Sequence, residues 1–530
     1  MIPPIFPVLV YFAFVGFAAM RIKRYLIYFQ QDEYDGPRFF RWLISNRLFD
    51  KILSAILLAL SLGLYLPLDY ANLLMQSSTA LAFTYFGFSD YRALGAAKKK
   101  LNMTKRANAI YRLAVVLIAV LAIALAIWSD LPVVWIIAVQ AIPLMLIAAT
   151  TLLKPMEARV QAGYRADAVK LLSEINPRII GITGSFGKTS VKHILGHILQ
   201  LGSESVYTPG SVNTVMGIVR VIREKLLKTT KNFVVEMGAY GRGSIQRVCD
   251  LTPPDFGIIT SIGAAHYERF KSLDAVAHAK FELADNTRKR GGTVVVDETV
   301  LAQPYAAKYV EEHRSSFRIV GEGSGCDLQI LRTDLTEKGI EIELRSEAGK
   351  VAFSAPLYGI VHGRNIALAV AMARILGVPD ETIRIALQSV PQISHRLEVN
   401  RQANGVTVID DAYNSNPVGF RAALTVLDRI GGKQGRKIVV TPGQVEMGGL
   451  HDSIHKELGA ETAQIADLVI VVAPQRIPTF VDAIKLAGTE LIERPSFFDA
   501  KRWIEDNFKP GDTVLLENDL PDVYEQLPRF

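Results

Sequence analysis

A glycine-rich segment between a strand and a helix constrains the fold of this 530-residue chain more than any other feature. Arg178–Thr183 predicts a buried strand, and residues 189–201 predict a helix. Glycines in such a loop let backbone N–H groups surround phosphate oxygens, and a following Lys-Thr pair reaches phosphate and magnesium. We therefore predict a nucleotide phosphate site at this turn. Its residues are Gly184, Ser185, Gly187, Lys188, Thr189 and Ser190.

The loop departs from the standard phosphate-binding spacing. That spacing would place a glycine at position 182, where this chain has Ile182. The segment is therefore a variant of the P-loop, of the form T-G-S-x-G-K-T-S. A glycine-rich turn that binds no ligand is the structural alternative.

The chain from residue 177 onward alternates short apolar runs with helical segments, which is typical of parallel α/β architecture. Alternating apolar residues between 327 and 356 predict antiparallel strands at a sheet edge, and the segment around Pro391 predicts a hinge. The predicted fold class is a P-loop-type central domain with a mostly parallel sheet, then a Rossmann-like C-terminal α/β domain. An α-helical transmembrane bundle is predicted before them. The predicted domains are 1–154, 155–390 and 391–530.

Five apolar stretches precede the α/β region, at about 3–20, 52–68, 72–88, 113–128 and 132–153. Each is close to the roughly 20 residues that a membrane span needs. Lysine and arginine cluster at 21–51 and 89–112, whereas the short links between the other stretches have none. The positive-inside rule then predicts a multi-pass protein of the cytoplasmic membrane, with its N-terminus outside and its catalytic domains in the cytoplasm. The lipid bilayer would be a partner, and the helices would either tether the chain or present a lipid substrate.

Charge and cysteine content exclude other classes of protein. The net charge is +7, and residues 1–153 hold fourteen Lys and Arg against seven Asp and Glu, so the excess lies in the apolar region. This distribution argues against a nucleic-acid partner. Cys249 and Cys326 lack metal-ligand spacing. His193 and His197 have i, i+4 spacing but no third ligand follows, which favours a helix-face position over a zinc site.

Further segments follow the glycine loop in a fixed order. They are Gly210–Thr214, Val235–Gly238, Ile259–His266, Ala277–Glu282, His362–Asn365, His395–Glu398 and Asp410–Pro417. Together with the loop variant, these segments resemble those of the Mur ligase family, ATP-dependent enzymes that add amino acids or dipeptides during peptidoglycan synthesis. The last segment is most similar to the subgroup that adds D-Ala-D-Ala.

The resemblance implies ATP and Mg²⁺ as cofactors and an acyl-phosphate route to an amide bond. It implies that Thr189 and Glu236 hold one metal ion, and that His266 and a carbamylated Lys280 hold a second. Lys188, Lys280, His266 and Glu236 would be catalytic. Nucleotide contacts would also come from Asn365, Arg396 and Asp411. The residues implied in substrate binding are Asn213, Thr214, Tyr413, Asn414 and Asn416.

The residues alone also allow plainer roles for three of these side chains. Lys280 would then be a solvated helix lysine, Arg396 a member of a surface ion pair, and Asp411 a turn-stabilising acid. His362 is displaced by one place from the family pattern, so Asn365 is the safer nucleotide contact.

Two departures from the family concern the substrate. Only about 25 residues separate the last apolar stretch from the first strand, so the UDP-binding domain of the family is missing, and Leu516–Pro521 differs from the usual last segment. The hypothesis is that the helical region replaces UDP recognition and presents a lipid-linked cell-envelope precursor as acceptor for an amino acid or dipeptide. Wall-synthesis enzymes of the membrane are candidate partners. The alternatives are a ligase of capsule, polyglutamate or another envelope polymer, and a membrane NTPase switch.

Overall fold

The computed structural model describes residues 5–32, 34–65, 70–96, 100–129, 131–263, 270, 272–347, 349–413, 416–432, 435–445 and 447–518. The chain forms two compact units, one reaching to Val160 and the other spanning Gln161–Asp519. The segments that carry the predicted site belong to the second unit. The domain boundaries predicted at residues 154 and 390 stay predictions.

The described part of the N-terminal region is helical. Its helices are α1 Ile5–Gln31, α2 Gly36–Ser45, α3 Ile52–Gly63, α4 Ala71–Ala96, α5 Lys105–Trp128 and α6 Val134–Ile175. In α5 the buried residues Ala114, Ile118 and Ala122 recur every four positions and form one apolar face. Thr104 caps this helix, since its hydroxyl accepts a hydrogen bond from Ala107 N.

Aromatic packing joins these helices in the N-terminal unit. Phe14 lies against Phe83 and Trp135, with ring centroids 5.2 and 5.0 Å away, and Phe17 stacks on Phe83 at 5.6 Å. Aromatic pairs at such distances contribute about 0.5–1.5 kcal/mol each beyond their buried area. The contacts pack α1 against α4 and the start of α6.

Two arginines and two acids meet inside the helical unit. The Arg21 guanidinium donates to Asp50 and to Asp90, at 2.5 Å in each case, and Arg24 donates to Asp90 at 2.7 Å. Arg21, Asp50 and Asp90 are at most 3% exposed. The second oxygen of Asp50 accepts Leu53 N and caps α3. The group therefore balances its own charge and joins α1, α4 and the start of α3.

The prediction of five membrane crossings is wrong. Among the described residues, only α5 and α6 have the length and hydropathy of a span. Helix α3 has 12 residues, which is about 18 Å at 1.5 Å per residue, against about 30 Å for the hydrocarbon core. Arg21, which was assigned to a cytoplasmic loop, lies within α1 and pairs inside the unit. The predicted multi-pass localisation, with an outside N-terminus, fails with the span count.

A nine-stranded sheet forms the first half of the second unit. Its strands are β1 Arg178–Thr183, β2 Ser205–Tyr207, β3 Asn232–Glu236, β4 Phe256–Ile259, β5 Thr293–Asp297, β6 Phe317–Gly321, β7 Leu328–Thr336, β8 Gly339–Ser346 and β9 Gly349–Ala355. The order is β2-β3-β1-β4-β5-β6-β7-β8-β9, antiparallel from β7 to β9 and parallel elsewhere. The mostly parallel sheet with an antiparallel edge is confirmed.

Helices flank this sheet and leave its parallel strands buried, as the continuous apolar runs predict. They are α7 Lys188–Gly202, α8 Val215–Lys225, α9 Ser244–Leu251, α10 Leu273–Lys289, α11 Pro304–Glu312, α12 Val361–Ile375 and α13 Asp380–Ser389. Short 3₁₀ helices span Glu298–Ala302 and Arg314–Ser316.

A six-stranded sheet forms the C-terminal half. Its strands are β10 Glu398–Arg401, β11 Thr407–Asp411, β12 Lys437–Thr441, β13 Leu468–Val472, β14 Glu490–Arg494 and β15 Thr513–Glu517. The order is β10-β11-β15-β12-β13-β14, and only the β10–β11 pair is antiparallel. The helices are α14 Pro417–Ile430, α15 His451–Ile465, α16 Pro478–Ala487 and α17 Phe497–Asn507, with 3₁₀ helices at Gly448–Leu450 and Pro474–Arg476. The predicted second α/β domain is confirmed.

The register of the central strands positions the predicted site. Ile182 of β1 pairs with Glu236 of β3, and Thr183 pairs with Ile259 of β4. The carboxyl ends of parallel strands lie at the same edge of a sheet, where α/β proteins bind ligands. The glycine loop, Glu236 and the segment after β4 therefore meet at one edge.

Candidate active site

Two glycines of the loop have conformations and neighbours that exclude a side chain. Gly184 has φ +154° and Gly187 has φ +82°. A Cβ atom on Gly184 would lie 1.9 Å from the Thr260 hydroxyl, and one on Gly187 would lie 2.7 Å from Asn365 Oδ1. The loop can therefore pack this closely only with glycine at both positions.

The segment after β4 holds the loop in place. Ser185 N donates to Ser261 O at 2.9 Å, and the Ser185 hydroxyl donates to Gly263 O at 3.0 Å. The Thr260 hydroxyl donates to Phe186 O. Ser190, in the first turn of α7, is 5% exposed. These bonds fix the backbone before the helix and leave the loop preorganised.

Lys188 folds back over the loop that it follows. Its ammonium donates to Gly184 O at 2.6 Å and to Ser185 O at 3.1 Å. Burial lowers the pKa of Lys188 to about 8, with Glu236 opposing the shift and Arg396 adding to it. The ammonium thus lies at the loop that is predicted to hold the phosphates.

Glu236 is the centre of a buried polar cluster. Its Oε2 atom accepts the Thr189 hydroxyl at 3.0 Å and the Lys192 ammonium at 2.8 Å, and its Oε1 atom accepts Asn213 Nδ2 at 3.3 Å. Glu236 and Lys192 are each 1% exposed. The loop threonine, the strand-end acid and the predicted substrate loop are therefore brought together.

The oxygen atoms of Thr189 and Glu236 in this cluster are suitable ligands for a magnesium ion. Mg²⁺ prefers hard oxygen ligands and is usually held by one or two protein groups together with nucleotide phosphate. The Thr189 hydroxyl and the Glu236 carboxylate supply such oxygens 3.0 Å apart, at the amino end of α7. Thr189 and Glu236, the residues predicted to hold the first metal ion, are thus adjacent. The pairing of Lys192 with the same carboxylate was not predicted from the sequence.

The predicted substrate loop is ordered from two sides. Asn213 Oδ1 accepts the Tyr240 hydroxyl at 3.1 Å, so Tyr240 orients the amide whose nitrogen faces Glu236. The Thr214 hydroxyl accepts Gly217 N at 3.4 Å and caps α8. Tyr240 is a positioning residue that sequence reasoning missed. The substrate roles predicted for Asn213 and Thr214 stay predictions.

Lys280 is buried in α10, not solvated as the plainer alternative had it. It is 4% exposed, and among the described residues its ammonium has no hydrogen-bond acceptor. Burial, with a smaller repulsion from Lys188, lowers its pKa well below the usual value. Burial thus favours the neutral amine of Lys280, which lies within electrostatic reach of Lys188. His266, its predicted partner at the metal, lies outside the described residues.

The helix α12 places an imidazole and an amide near the loop. Asn365 is 8% exposed and lies against Gly187, as described above. His362 is 3% exposed, and burial, with repulsion from Arg396, lowers its pKa to about 4. Asn365, which was predicted as a nucleotide contact, lies against the loop, whereas His362 lies within electrostatic reach of Arg396 and His193.

The segment that follows Pro391 holds Arg396 within electrostatic reach of Lys188, and Asp411 lies close to the same arginine. Arg396 influences the pKa values of both Lys188 and His362, and its guanidinium lies 5.4 Å from the Tyr413 ring centroid. Asp411 accepts Leu397 N at 3.1 Å, and burial raises its pKa to about 7. Arg396 thus contacts an aromatic ring in place of the surface ion pair considered for it. Asp411 thereby holds the backbone of the segment that follows Pro391, and the hinge predicted there stays a prediction.

Among the remaining predicted residues, Asn416 serves local structure. Asn416 caps α14 by accepting Val418 N at 3.1 Å and Gly419 N at 3.0 Å. Asn414 lies outside the described residues. Tyr413 is 44% exposed. Substrate roles for these side chains stay predictions.

The histidine pair on α7 has a structural use. His193 Nε2 lies 3.1 Å from Pro391 O, and His197 Nε2 lies 3.1 Å from the Ser389 hydroxyl. In the described part of the chain neither belongs to a group of three potential metal ligands. The helix-face interpretation agrees with these contacts.

Comparison with known families decides the class. The family described as Mur ligase middle domain matches residues 182–373, and the one described as Mur ligase, glutamate ligase domain, matches residues 395–517. Together the matches cover more than half of the chain. The chain belongs to the Mur ligase family. Mur ligases use ATP and Mg²⁺, the cofactors predicted from the sequence.

Curated relatives give the most similar subgroup. The Mur ligase chain is 28% identical over 290 residues to the UDP-N-acetylmuramoyl-tripeptide--D-alanyl-D-alanine ligase of Bacillus subtilis, covering 54% of this chain and 61% of that protein. It is 29% identical over 366 residues to the Mycobacterium leprae protein of the same name, covering 64% and 70%. The match thus spans less than two thirds of the Bacillus protein. The predicted similarity to the D-Ala-D-Ala-adding subgroup is confirmed.

Solved structures agree with the fold of this Mur ligase. MurF from Acinetobacter baumannii superposes with a TM-score of 0.58 at 25% identity, covering 68% of this chain and 78% of that chain. MurF from Thermotoga maritima, solved in complex with ADP, gives a TM-score of 0.58 at 24% identity, covering 68% and 80%. Neither comparison supports the predicted multi-pass localisation.

Proposed function

We propose that this Mur ligase is an ATP-dependent, ADP-forming amide-bond ligase that adds D-alanyl-D-alanine to a carboxylate of a peptidoglycan precursor. The observation that carries the proposal is the convergence on Glu236 of Thr189 from the phosphate loop and Asn213 from the substrate loop. A ligase must hold nucleotide phosphate and acceptor carboxylate side by side, and this cluster joins the two loops that would do so.

The proposed chemistry has two steps. An oxygen of the acceptor carboxylate attacks the γ-phosphorus, the bond to the β–γ bridging oxygen breaks, and ADP leaves. The amine nitrogen of the incoming dipeptide then attacks the acyl carbon, phosphate leaves, and the nitrogen loses a proton. Negative charge accumulates in both steps, and the Lys188 ammonium lies where it can stabilise the phosphoryl oxygens.

The metal and the hinge complete the proposed site. Thr189 and Glu236 would hold Mg²⁺, which as a Lewis acid neutralises charge on the phosphate oxygens. Asn365 contacts the loop glycine directly, and Arg396 lies within electrostatic reach of Lys188. Closure at the hinge would then bring Arg396 and Asp411 onto the bound nucleotide and exclude water.

A lipid-linked form of the precursor is the acceptor that we propose. The family match begins at residue 182, and the described residues before 176 form helices without a strand of the kind that an α/β UDP-binding domain needs. Large apolar side chains on those helices are exposed to solvent, as for Phe12 (65%), Leu81 (69%) and Val120 (61%). Such surfaces suit the apolar chain of a lipid carrier.

The proposal predicts coupled product formation. The full chain, incubated with ATP, Mg²⁺ and D-Ala-D-Ala, should release one ADP for each amide formed, measured by a coupled ADP assay and by mass spectrometry. The acceptors compared are UDP-N-acetylmuramoyl-tripeptide and the same tripeptide on a lipid carrier, and the lipid-linked one should react faster. Preference for the UDP form would reject the lipid carrier alone. ADP release that needs no acceptor would reject the ligase and favour a switch.

We propose in addition that Lys280 is carbamylated. Carbamylation needs the neutral amine, which attacks carbon dioxide, forms an N–C bond and loses a proton. Burial lowers the pKa of Lys280 and so favours that form. The anionic carbamate would place a hard oxygen ligand beside the phosphates.

The carbamate has a direct spectroscopic test. Wild-type protein equilibrated with ¹³C-bicarbonate should show a carbamate carbon signal in its ¹³C NMR spectrum, and Lys280→Met should lack it. Lys289→Met, on the exposed last turn of the same helix, is the matched control and should retain the signal. A wild-type spectrum without the signal, or a Lys280→Met spectrum that keeps it, contradicts the proposal.

A further inference from the structure

Lys192 is a buried lysine on α7, close to the proposed metal site. It stands one helical turn after Lys188 on α7 and is 1% exposed. Lysine is almost never fully buried without a partner, because desolvating the ammonium is costly. Its position therefore depends on the acceptors that surround it.

Two acceptors hold the Lys192 ammonium. One is Glu236 Oε2 at 2.8 Å, and the other is the carbonyl oxygen of Gly210, at the start of the predicted substrate loop. The same Oε2 atom accepts the Thr189 hydroxyl at 3.0 Å. Lys192 thus occupies the side of the carboxylate at which Thr189 and Glu236 would share a metal ion.

The charges of Glu236 and Lys192 are consistent with the ammonium lying at the metal position. Without a metal ion, Glu236 is a buried carboxylate whose other described partners are the neutral Thr189 hydroxyl and Asn213 amide. The Lys192 ammonium is the cation that is hydrogen-bonded to this carboxylate, while Lys188 lies within electrostatic reach of it. A divalent cation at Oε2 would compensate the carboxylate charge and would repel the ammonium.

We infer that Lys192 is a positioning residue that occupies the cation position beside Glu236 until a divalent metal displaces it, and so couples metal binding to the substrate loop. The inference rests on the proposed function, because it takes Glu236 as the metal ligand. When the Lys192 ammonium leaves Glu236 Oε2, it is no longer held in place to donate its hydrogen bond to Gly210 O. The loop at Gly210–Thr214 then becomes free to rearrange around the acceptor.

The inference predicts tighter metal binding once the competing charge is removed. Mn²⁺ is the probe, and its binding to the full chain is measured by the loss of the free-ion signal in electron paramagnetic resonance. Lys192→Met should bind Mn²⁺ about tenfold more tightly than the wild type, or better, because a like charge within a few ångströms is gone. Lys192→Gln keeps a hydrogen-bond donor and should shift the affinity the same way if the methionine variant fails to fold. Lys225→Met, at an exposed position in the last turn of α8, should bind as the wild type does.

A second readout reports the coupling itself. Hydrogen–deuterium exchange of residues 208–214 should increase in the wild type when Mn²⁺ is added. In Lys192→Gln the exchange should be high at the outset and should not respond to Mn²⁺. Lys192→Arg keeps the positive charge and should restore the Mn²⁺ response.

The outcomes separate this inference from the proposed function. Unchanged or weaker Mn²⁺ binding in both neutral variants, or a wild-type loop that ignores Mn²⁺, overturns the role of Lys192. If Glu236→Gln binds Mn²⁺ as the wild type does, the metal site of the proposed function fails instead. Loss of Mn²⁺ binding in Glu236→Gln together with unchanged affinity in Lys192→Gln leaves the ligase proposal intact and rejects only the inference.

Discussion

Lys188→Ala should lower the rates of ADP release and of amide formation together, by about 10²–10³-fold. The Lys188 ammonium lies over the loop, within hydrogen-bond distance of Gly184 O and Ser185 O, so bound phosphate oxygens would replace these carbonyls as its acceptors. Alanine removes the charge that would stabilise the phosphoryl group during transfer. Steady-state rates of both products, measured on the same samples, give the ratio of the two losses.

The matched control for this substitution is Lys225→Ala. Lys225 lies in the last turn of α8 on the protein surface, and its removal should leave both rates within twofold of wild type, roughly the effect of an exposed charge. A Lys188→Ala variant that still forms amide at the wild-type rate would show that phosphoryl transfer occurs elsewhere. Loss of amide with ADP release retained would separate the two steps and would place Lys188 outside the first.

Glu236→Gln should lower the free energy of unfolding by about 3–5 kcal/mol, because it removes the one carboxylate that is paired with the buried Lys192 ammonium. The pair is hydrogen-bonded at 2.8 Å with both side chains at most 2% exposed, so solvent cannot compensate the ammonium. The same substitution removes the acidic metal ligand and should abolish metal-dependent ADP release. Urea denaturation gives the stability, and a coupled assay with varied Mg²⁺ gives the activity.

The double variant Glu236→Gln/Lys192→Met separates these two effects. Replacing both charged partners removes the unpaired ammonium, so most of the lost stability should return. Activity should not return, since the carboxylate is still absent. A double variant as unstable as Glu236→Gln would show that the pair contributes nothing specific to folding. Recovery of activity would show that Glu236 holds no metal.

The strand–loop–helix unit could be predicted because its signals are local. Val294–Val296 and Ile179–Ile182 are short apolar runs that predict strands. The glycines Gly184 and Gly187 come soon after the second of these runs, where the backbone needs φ > 0. The same locality made the mostly parallel α/β architecture and the antiparallel edge predictable. Asn365 was found from its motif, and the structure places it against Gly187.

What could not be predicted depends on partners far apart in the sequence. Lys192 is 44 residues from Glu236, and nothing in the helix pattern shows that it is buried against an acid. The N-terminal helices were misjudged for the same reason. Hydropathy measures each stretch by itself, so it could not show that Arg21 pairs with Asp50 and Asp90 inside the unit.

The paired charges of the N-terminal unit also restrict how this region can change over generations. One guanidinium, that of Arg21, serves carboxylates that come from different parts of the chain, Asp50 before α3 and Asp90 in α4. Losing any one of the three leaves an uncompensated ion in a dry interior, at a cost of about 3–5 kcal/mol. Single substitutions at these positions are therefore destabilising and should seldom persist. Charge balance is kept when an arginine and an acid are replaced together, or when all four of Arg21, Arg24, Asp50 and Asp90 are replaced, by apolar residues of similar volume.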